Sequence, residues 1–180
     1  MKALYTLLLL TLCWSVHAQY LAGVHVVQDH RVDEWVVLGE EEEDDGILRV
    51  LWQLRNDWTE WEFSFAGVRG DIIMRQKTNP GYWEARAQGR VVTARALWPN
   101  DMSQWQITSE DIRVNLSTRF GHQADEWFIN DRKWGKLYMY VEYDGDPRSW
   151  IIEDDLDASV PMVMKILITH LVIFNSMPRS

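Results

Sequence analysis

The chain has 180 residues, one cysteine and a net charge of −9, from 18 basic and 27 acidic side chains. This excess of acid disfavours sequence-independent binding to nucleic acid and attraction to anionic lipid. The length fits a single domain with a sizeable core.

The first 18 residues have the pattern of a signal peptide. Lys2 supplies a positive end, residues 3–14 form an apolar run, and Ala18 closes a short segment with small side chains. An uncleaved anchor is the alternative, but the run falls short of the ~20 apolar residues that span a bilayer. Cleavage would remove Cys13, so the rest of the chain can form no disulfide. We therefore expect an extracytoplasmic protein, secreted or periplasmic, in a bacterium.

Tryptophan recurs at a fixed period along the remaining chain. The spacings are 26, 22, 22, 22 and 23 residues, between Trp35, Trp61, Trp83, Trp105, Trp127 and Trp150. Fixed periods of about 20–50 residues indicate a repeated supersecondary unit. Turn-forming residues precede each of the last five tryptophans, and an apolar residue follows it two positions later. This order is typical of a turn that leads into a strand.

The stretch before each turn alternates between apolar and polar residues. In three repeats the apolar set is Leu48, Val50, Trp52 and Leu54; Val114, Leu116, Thr118 and Phe120; and Leu137, Met139, Val141 and Tyr143. Period-two alternation predicts antiparallel strands with these side chains facing inward. Each repeat is then a hairpin with a loop of roughly five residues, whose second strand opens with the inward tryptophan. Six repeats predict about twelve strands, the first pair within residues 19–37.

The pattern changes near the end of the chain. Ser159 can cap a helix, Pro161 suits its first turn, and residues 162–174 are almost all apolar. A helix that is apolar all round must be buried, so we expect a core helix at about 160–174. Twelve strands closed into a barrel leave a space too wide for side chains alone, and a helix ~22 Å long fits it. The predicted fold is mainly β: a closed antiparallel barrel of about twelve strands around one buried C-terminal helix.

Two segments resemble the tubby C-terminal and LURP-one-related superfamily, in particular its small bacterial LURP-one-like members. Residues 146–154, with the helix and residues 175–178, are similar to the closing stretch of those proteins, and residues 55–61 are similar to their repeats. The resemblance implies a twelve-stranded barrel wrapped around the helix, over residues 19–180. Eukaryotic members bind phosphoinositides or associate with lipid, but this chain has no cluster of lysines and arginines to which such a site could be transferred.

Charged residues allow several interpretations. The acidic run 40–45 could bind calcium, but its carboxylates are unspaced and lack a glycine turn, so a solvated hairpin loop is preferred. The recurring loop acids are best explained as turn formers; they are Asp57, Asp101, Asp125 and Asp146. Arginines on the polar faces are expected to pair with acids across strands; they are Arg49, Arg75, Arg95, Arg113 and Arg119.

Five aromatic residues fall outside the inward register and are the candidate binding residues: Trp58, Tyr82, Trp134, Tyr138 and Tyr140. Exposed rings of this kind stack on sugars or on partner proteins. Within the helix, we expect Lys165 to lie near an end with its ammonium reaching solvent. His170 is expected to be a hydrogen-bonded core residue.

No catalytic spacing is recognised in the sequence: no glycine-rich phosphate loop, no zinc pattern and no nucleophile elbow. We therefore predict a non-enzymatic binding or scaffold module that needs no cofactor or metal. Its partner could be a protein, a lipid or a glycan, but not nucleic acid, and no transmembrane segment remains after signal cleavage. An extracytoplasmic binder of lipid or another hydrophobic ligand is the second hypothesis, and a carbohydrate-active enzyme is the third.

Overall fold

The predicted fold is confirmed. A computed structural model describes residues 19–41, 44–55, 57–121 and 123–177; the expected signal peptide lies outside these ranges. Twelve antiparallel strands close into a barrel around a single C-terminal helix, α1, at Met162–Ser176. The strands are β1 Leu21–Gln28, β2 Arg31–Gly39, β3 Gly46–Trp52, β4 Asp57–Phe65, β5 Val68–Met74, β6 Tyr82–Ala87, β7 Arg90–Trp98, β8 Asp101–Ser109, β9 Ile112–Phe120, β10 Gln123–Asp131, β11 Gly135–Tyr143 and β12 Asp146–Leu156.

Each strand pairs with its neighbours in sequence, and β1 pairs with β12 to close the barrel. The β4–β5 and β6–β7 hairpins turn through two residues with positive φ, Ala66–Gly67 and Gln88–Gly89. This backbone is the type I′ turn, whose twist matches that of the flanking strands. Glycine supplies the second of these left-handed positions without steric strain.

The up-and-down order gives the barrel two different ends. At the tryptophan end, the hairpins that lead into β2, β4, β6, β8, β10 and β12 turn. At the acidic end, the remaining hairpins turn and β12 passes into α1. The described residues of the acidic run, 40–41 and 44–45, lie between β2 and β3 at this end. The helix therefore starts at the acidic end and finishes at the tryptophan end.

The six repeat tryptophans face inward, as predicted, and each is at most 2% exposed. Every indole N–H donates to the backbone oxygen three residues earlier, at 2.7–3.1 Å. The acceptors, in chain order, belong to Val32, Trp58, Pro80, Met102, Ala124 and Pro147. Burying an indole without a partner for its N–H would be unfavourable. This short-range bond solves that problem identically in every repeat.

A β-bulge with two extra residues precedes the tryptophan in five of the six hairpins. Val50 pairs with Trp61 and Trp52 pairs with Asp57, so β4 has two more residues than β3 over this interval. The same count recurs where β2, β8, β10 and β12 meet the strand before them. The predicted five-residue loops are therefore wrong, because these extra residues belong to the strand. Strand β4 opens at Asp57, four residues before its tryptophan.

The helix fills the barrel interior. Residues 163–174 are all buried, which confirms the expected core helix, although its first residue is Met162. Ser159 was predicted to cap it, but the N-cap is Pro161, which makes no side-chain bond. Ser159 instead donates its N–H and hydroxyl to Asp157 in the turn before the helix.

A buried ion pair joins the helix to the wall at the acidic end. Lys165 donates to the Asp154 carboxylate at 2.8 Å, and their side chains are 2% and 0% exposed. Lys165 also donates to the Gln19 carbonyl at 3.1 Å, while Asp154 accepts the N–H groups of Leu21 and Leu156. The expectation that Lys165 reaches solvent is wrong, because a carboxylate inside the barrel satisfies it.

His170 lies at the middle of α1 inside an aromatic shell. Its ring is 4.8 Å from Trp61, 4.5 Å from Trp83 and 5.6 Å from Phe174. Burial lowers the pKa of His170 to about 3. Within the described residues neither ring nitrogen has a hydrogen-bond partner, so His170 is a core residue as predicted, but not a hydrogen-bonded one.

Candidate binding surface

The last residue of four odd-numbered strands is an exposed aromatic at the tryptophan end. Trp52 is 40% exposed, Trp98 60%, Phe120 53% and Tyr143 62%. Each is the closing residue of its hairpin, paired across the turn with the first residue of the next strand. We call these four residues the aromatic rim.

The rim corrects the predicted register. Trp52, Leu54, Phe120 and Tyr143 were expected to face inward with the apolar residues before them, yet Leu54 is fully exposed and the others are 40% exposed or more. The bulge is the reason, because its two extra residues place new side chains over the mouth of the barrel. Several of these cap the core from above: Val32, Trp58, Met102 and Ala124. The closing residue is left on the outside.

Hydrogen bonds hold the two rim indoles against the outer wall. Trp52 donates its Nε1–H to Glu60 at 2.7 Å, and Trp98 donates to Gln104 at 3.2 Å. Glu60 and Gln104 each directly precede an inward tryptophan, so they face outward. The polar edge of each indole is thus satisfied, and its carbon face remains exposed.

Guanidinium groups lie over two of the rim rings. Arg55 is 4.9 Å from the Trp52 ring centroid, and Arg119 is 5.1 Å from that of Phe120. Further exposed apolar side chains lie at the same end: Val27, Leu51, Leu54 and Leu97. The tryptophan end therefore combines aromatic, aliphatic and cationic side chains.

The five predicted binding residues occupy separate places, and the structure brings together only Tyr138 and Tyr140. Trp58 packs on the core at the tryptophan end, with its ring 5.8 Å from that of Trp61. Tyr82 lies under Arg95, whose guanidinium is 4.1 Å from the ring. Trp134 packs on the core near the acidic end, after β10.

Tyr138 and Tyr140 form a polar aromatic cluster on the outer wall of β11. Their ring centroids are 5.1 Å apart. Glu126 accepts hydrogen bonds from the Tyr138 hydroxyl and from Arg119, the latter at 2.9 Å. The bond from Tyr138 holds the pKa of Glu126 below its ordinary value. Arg119 also lies over Phe120, so this cluster adjoins the rim.

A depression of about 480 Å³ lies beside Tyr138 on the same wall, lined also by Arg119, Phe128, Asn130 and Lys136. A second one, of about 370 Å³, opens at the tryptophan end between the β7–β8 hairpin and the end of α1. Its walls include Met102, Ser103 and Met177. Both depressions border residues of the rim or its hairpins.

The loop acids act mainly in turns, as predicted. Asp57 accepts the N–H of Thr59 at 3.0 Å, and hydrogen bonds from Thr59 lower the pKa of Asp57. Asp101 accepts from Ser103 at 2.9 Å. Hydrogen bonds from Arg148 lower the pKa of Asp146 to about 2. Asp125 differs, since one of its carboxylate oxygens is buried without a partner among the described residues.

Cross-strand pairing is confirmed for three of the predicted arginines. Arg49 contacts Glu62 at 2.6 Å and Arg75 contacts Glu84 at 3.5 Å, and the third is the Arg119 contact with Glu126 already described. These contacts lie on the outer wall, where an exposed ion pair adds typically about 0–1 kcal/mol to stability.

The rim residues escaped the sequence analysis because their strands alternate without a break up to the turn. For three of the four rim residues a signal was nevertheless present, in the aspartate four positions before the next repeat tryptophan: Asp57, Asp101 and Asp146. Each caps a turn by accepting the N–H two residues on. Phe120 has no such signal, because Gln123 occupies that position. An Asx turn inside a strand marks a break in the ladder, beyond which alternation no longer assigns a face.

No family model, curated protein or solved structure matches the chain. Within the ranges that the structure describes, no helix has the length and the hydropathy needed to cross a bilayer.

Proposed function

We propose that this chain is a non-enzymatic, extracytoplasmic binding module that contacts its partner end-on, through the aromatic rim. The observation that carries the proposal is the exposure of an aromatic closing residue in four of six hairpins, all at one end of the barrel. Exposed aromatic residues confined to one end of a barrel are the distribution that an end-on contact with another surface requires.

The distribution of exposed apolar residues supports this choice of surface. Ten large hydrophobic side chains are exposed among the described residues, and eight of them lie at the tryptophan end. The other two, Ile47 and Val91, lie at the start of β3 and β7, towards the acidic end. The asymmetry separates one candidate binding end from the rest of the barrel.

The packed interior of the barrel favours a binding site on its outer surface. Residues 163–174 of the helix are packed against the barrel wall. The helix groups that commonly serve in catalysis, Lys165 and His170, are sealed inside. A ligand can therefore be contacted by the ends and the outer wall without any change to the core.

The architecture is also the one that the tubby and LURP-one-like resemblance implies. A C-terminal helix inside twelve antiparallel strands supports placing this chain with the small bacterial LURP-one-like proteins. Function is proposed from the rim alone, since one fold hosts many functions.

Thermal unfolding of the exported protein in the presence of candidate ligands tests the proposal. The panel contains phosphatidylcholine vesicles, soluble peptidoglycan fragments, chitin oligosaccharides and cellulose oligosaccharides. A ligand that binds only the folded state raises the melting temperature. We expect at least one such shift, and we expect Trp98→Ser to abolish it while Tyr140→Ser leaves it intact.

Two results would contradict the proposal. A shift abolished by Tyr140→Ser but unchanged by Trp98→Ser would move binding to the outer wall of β11. Turnover of any panel glycan, lost on replacement of one loop carboxylate such as Asp125→Asn, would show an enzyme instead.

A further inference from the structure

We infer that the aromatic rim anchors the barrel to the surface of a zwitterionic lipid bilayer, with the tryptophan end down and the acidic end pointing away. The inference rests on the proposed function and names its partner as a lipid–water interface. Four observations carry it: the types of the rim side chains, their separation, their hydrogen bonds and the charge of the two ends.

The rim is built of residues that favour the membrane interface. Two tryptophans, a tyrosine and a phenylalanine close the hairpins, and Leu54 stands fully exposed beside Trp52. Tryptophan and tyrosine concentrate at lipid headgroups because their rings are amphipathic. A lipid interface therefore accommodates this composition directly.

The anchors are separated from one another around the barrel mouth. Trp98, Phe120 and Tyr143 close β7, β9 and β11, and alternate strands lie about 10 Å apart. Polar residues pair with all three across the turns. A protein partner prefers one contiguous apolar patch, whereas a fluid interface accepts separate anchors at any spacing.

The rim indoles can enter an apolar layer without leaving a polar group unpaired. Trp52 and Trp98 already donate their N–H groups to Glu60 and Gln104. Insertion of an unpaired indole N–H would be unfavourable. The bond to the neutral Gln104 amide lowers this penalty for Trp98, whereas Trp52, which is bonded to the Glu60 carboxylate, would stay at the level of the headgroups, where that charge remains hydrated.

The two ends of the barrel differ strongly in charge. Counted from the last residue of one strand to the first of the next, the hairpin segments of the tryptophan end are residues 28–31, 52–57, 74–82, 98–101, 120–123 and 143–146, and their described residues hold four basic and five acidic side chains. The connecting segments of the acidic end are residues 39–46, 65–68, 87–90, 109–112, 131–135 and 156–162, and their described residues hold three basic and eight acidic side chains. The tryptophan end can therefore lie against lipid headgroups with little net charge, whereas the acidic end would bring more charge into that interface.

This charge balance also selects the lipid. With four basic and five acidic side chains, the tryptophan end offers no attraction to an anionic surface, and the whole chain carries −9. Attachment then depends on apolar insertion, so zwitterionic lipid suffices and anionic lipid adds nothing. Arg55 and Arg119, which lie over rim rings, would reach the phosphate level when those rings insert.

Flotation of the exported protein with phosphatidylcholine vesicles tests the inference. We expect the protein to float with the vesicles, and the double variant Trp98→Ser/Phe120→Ser to bind at least tenfold more weakly, since each ring contributes a buried apolar surface. The matched control is Ile47→Ser/Val91→Ser, which removes two residues of similar exposure, 43% and 48%, towards the acidic end. The control should bind as the unmodified protein does.

A second arm replaces 30% of the phosphatidylcholine with phosphatidylglycerol. Binding should stay equal or weaken. No flotation with phosphatidylcholine, equal losses in rim and control variants, or binding only to anionic vesicles would each overturn the inference. A dimer that the rim substitutions dissociate, without flotation, would also overturn it and identify a second copy as the partner.

These failures are distinguishable from failure of the proposed function. Rim-dependent binding of a glycan without flotation would leave the end-on module standing and remove only the lipid. Vesicle binding that Tyr140→Ser abolishes and Trp98→Ser preserves would contradict both. Circular dichroism and unfolding of each variant confirm that lost binding is not lost folding.

Discussion

Trp98 and Trp105 lie seven residues apart in one hairpin and meet opposite environments. Trp105 is fully buried and donates its N–H to the Met102 backbone, whereas Trp98 is 60% exposed and donates to the Gln104 side chain. The two rings contact the inside and the outside of the same barrel. Between them lies the bulge, in which Ala96 pairs with Trp105 but Trp98 pairs with Asp101.

The difference teaches that the local backbone, and not the residue type, decides whether an aromatic is structural or available for binding. Trp98 lies two residues after Ala96, and Ala96 pairs with Trp105. Strict alternation along β7 would therefore place both rings on the same face of the sheet. Two extra residues on the second strand turn the closing residue outward instead. Each inward tryptophan should therefore act on stability, and each rim aromatic on binding.

Replacing an inward tryptophan should cause the largest loss of stability. We expect Trp105→Ala to lower the free energy of unfolding by about 3–5 kcal/mol, because it leaves a large cavity against α1 and the neighbouring strands. Urea unfolding followed by circular dichroism measures the change. A loss below about 1 kcal/mol would mean that the inner ring is not what holds the repeats together.

The buried ion pair provides the next largest effect. We expect Lys165→Met to lower the free energy of unfolding by about 3 kcal/mol, since it leaves the Asp154 carboxylate buried and uncompensated. The double variant Lys165→Met/Asp154→Asn removes both charges and keeps one acceptor oxygen, which can serve Leu21 or Leu156 but not both, because their N–H groups bond different oxygens of Asp154. It should regain part of the loss in the same urea titration. Equal destabilisation of single and double variants would show that packing, and not charge, matters there.

His170 should make the inner aromatic shell sensitive to acid. Its folded pKa is about 3 and the unfolded value is about 6.5, so the unfolded chain binds the extra proton between these values. Stability is then full above about pH 6.5 and falls as the pH drops, by roughly 2 kcal/mol at pH 5. Urea unfolding at both pH values measures this fall.

The control for that measurement is His170→Phe, which keeps an aromatic ring at this position and does not titrate. Between pH 7 and pH 5, the free energy of unfolding of this variant should fall by roughly 2 kcal/mol less than that of the unmodified protein. Identical pH dependence in the two proteins would show that His170 is protonated, or paired, inside the barrel.

Much of this fold could be predicted from the sequence because it depends on repeated local rules. The period of the tryptophans predicted the number of hairpins, and the apolar C-terminal stretch predicted the helix that fills the barrel. The outward turn of Trp98 could not be predicted, since alternation alone does not reveal a bulge. The partner of Lys165 was missed although a signal was present, because Asp154 lies in the inward register of Trp150 and Ile152, whereas its neighbours Glu153 and Asp155 are exposed.

The smallest effect on stability is expected at the rim. Comparing a rim variant with Trp105→Ala distinguishes exposed from inward tryptophans. Trp98→Ala removes a 60% exposed ring whose hydrogen bond, to Gln104, is on the surface, so the free energy of unfolding should change by less than about 0.5 kcal/mol. The same urea titration used for Trp105→Ala measures it, and the slope against urea should stay constant because the exposed area hardly changes. A loss comparable to that of Trp105→Ala would show that packing of the Trp98 ring stabilises the barrel. The exposure of the rim would then no longer support a role in binding.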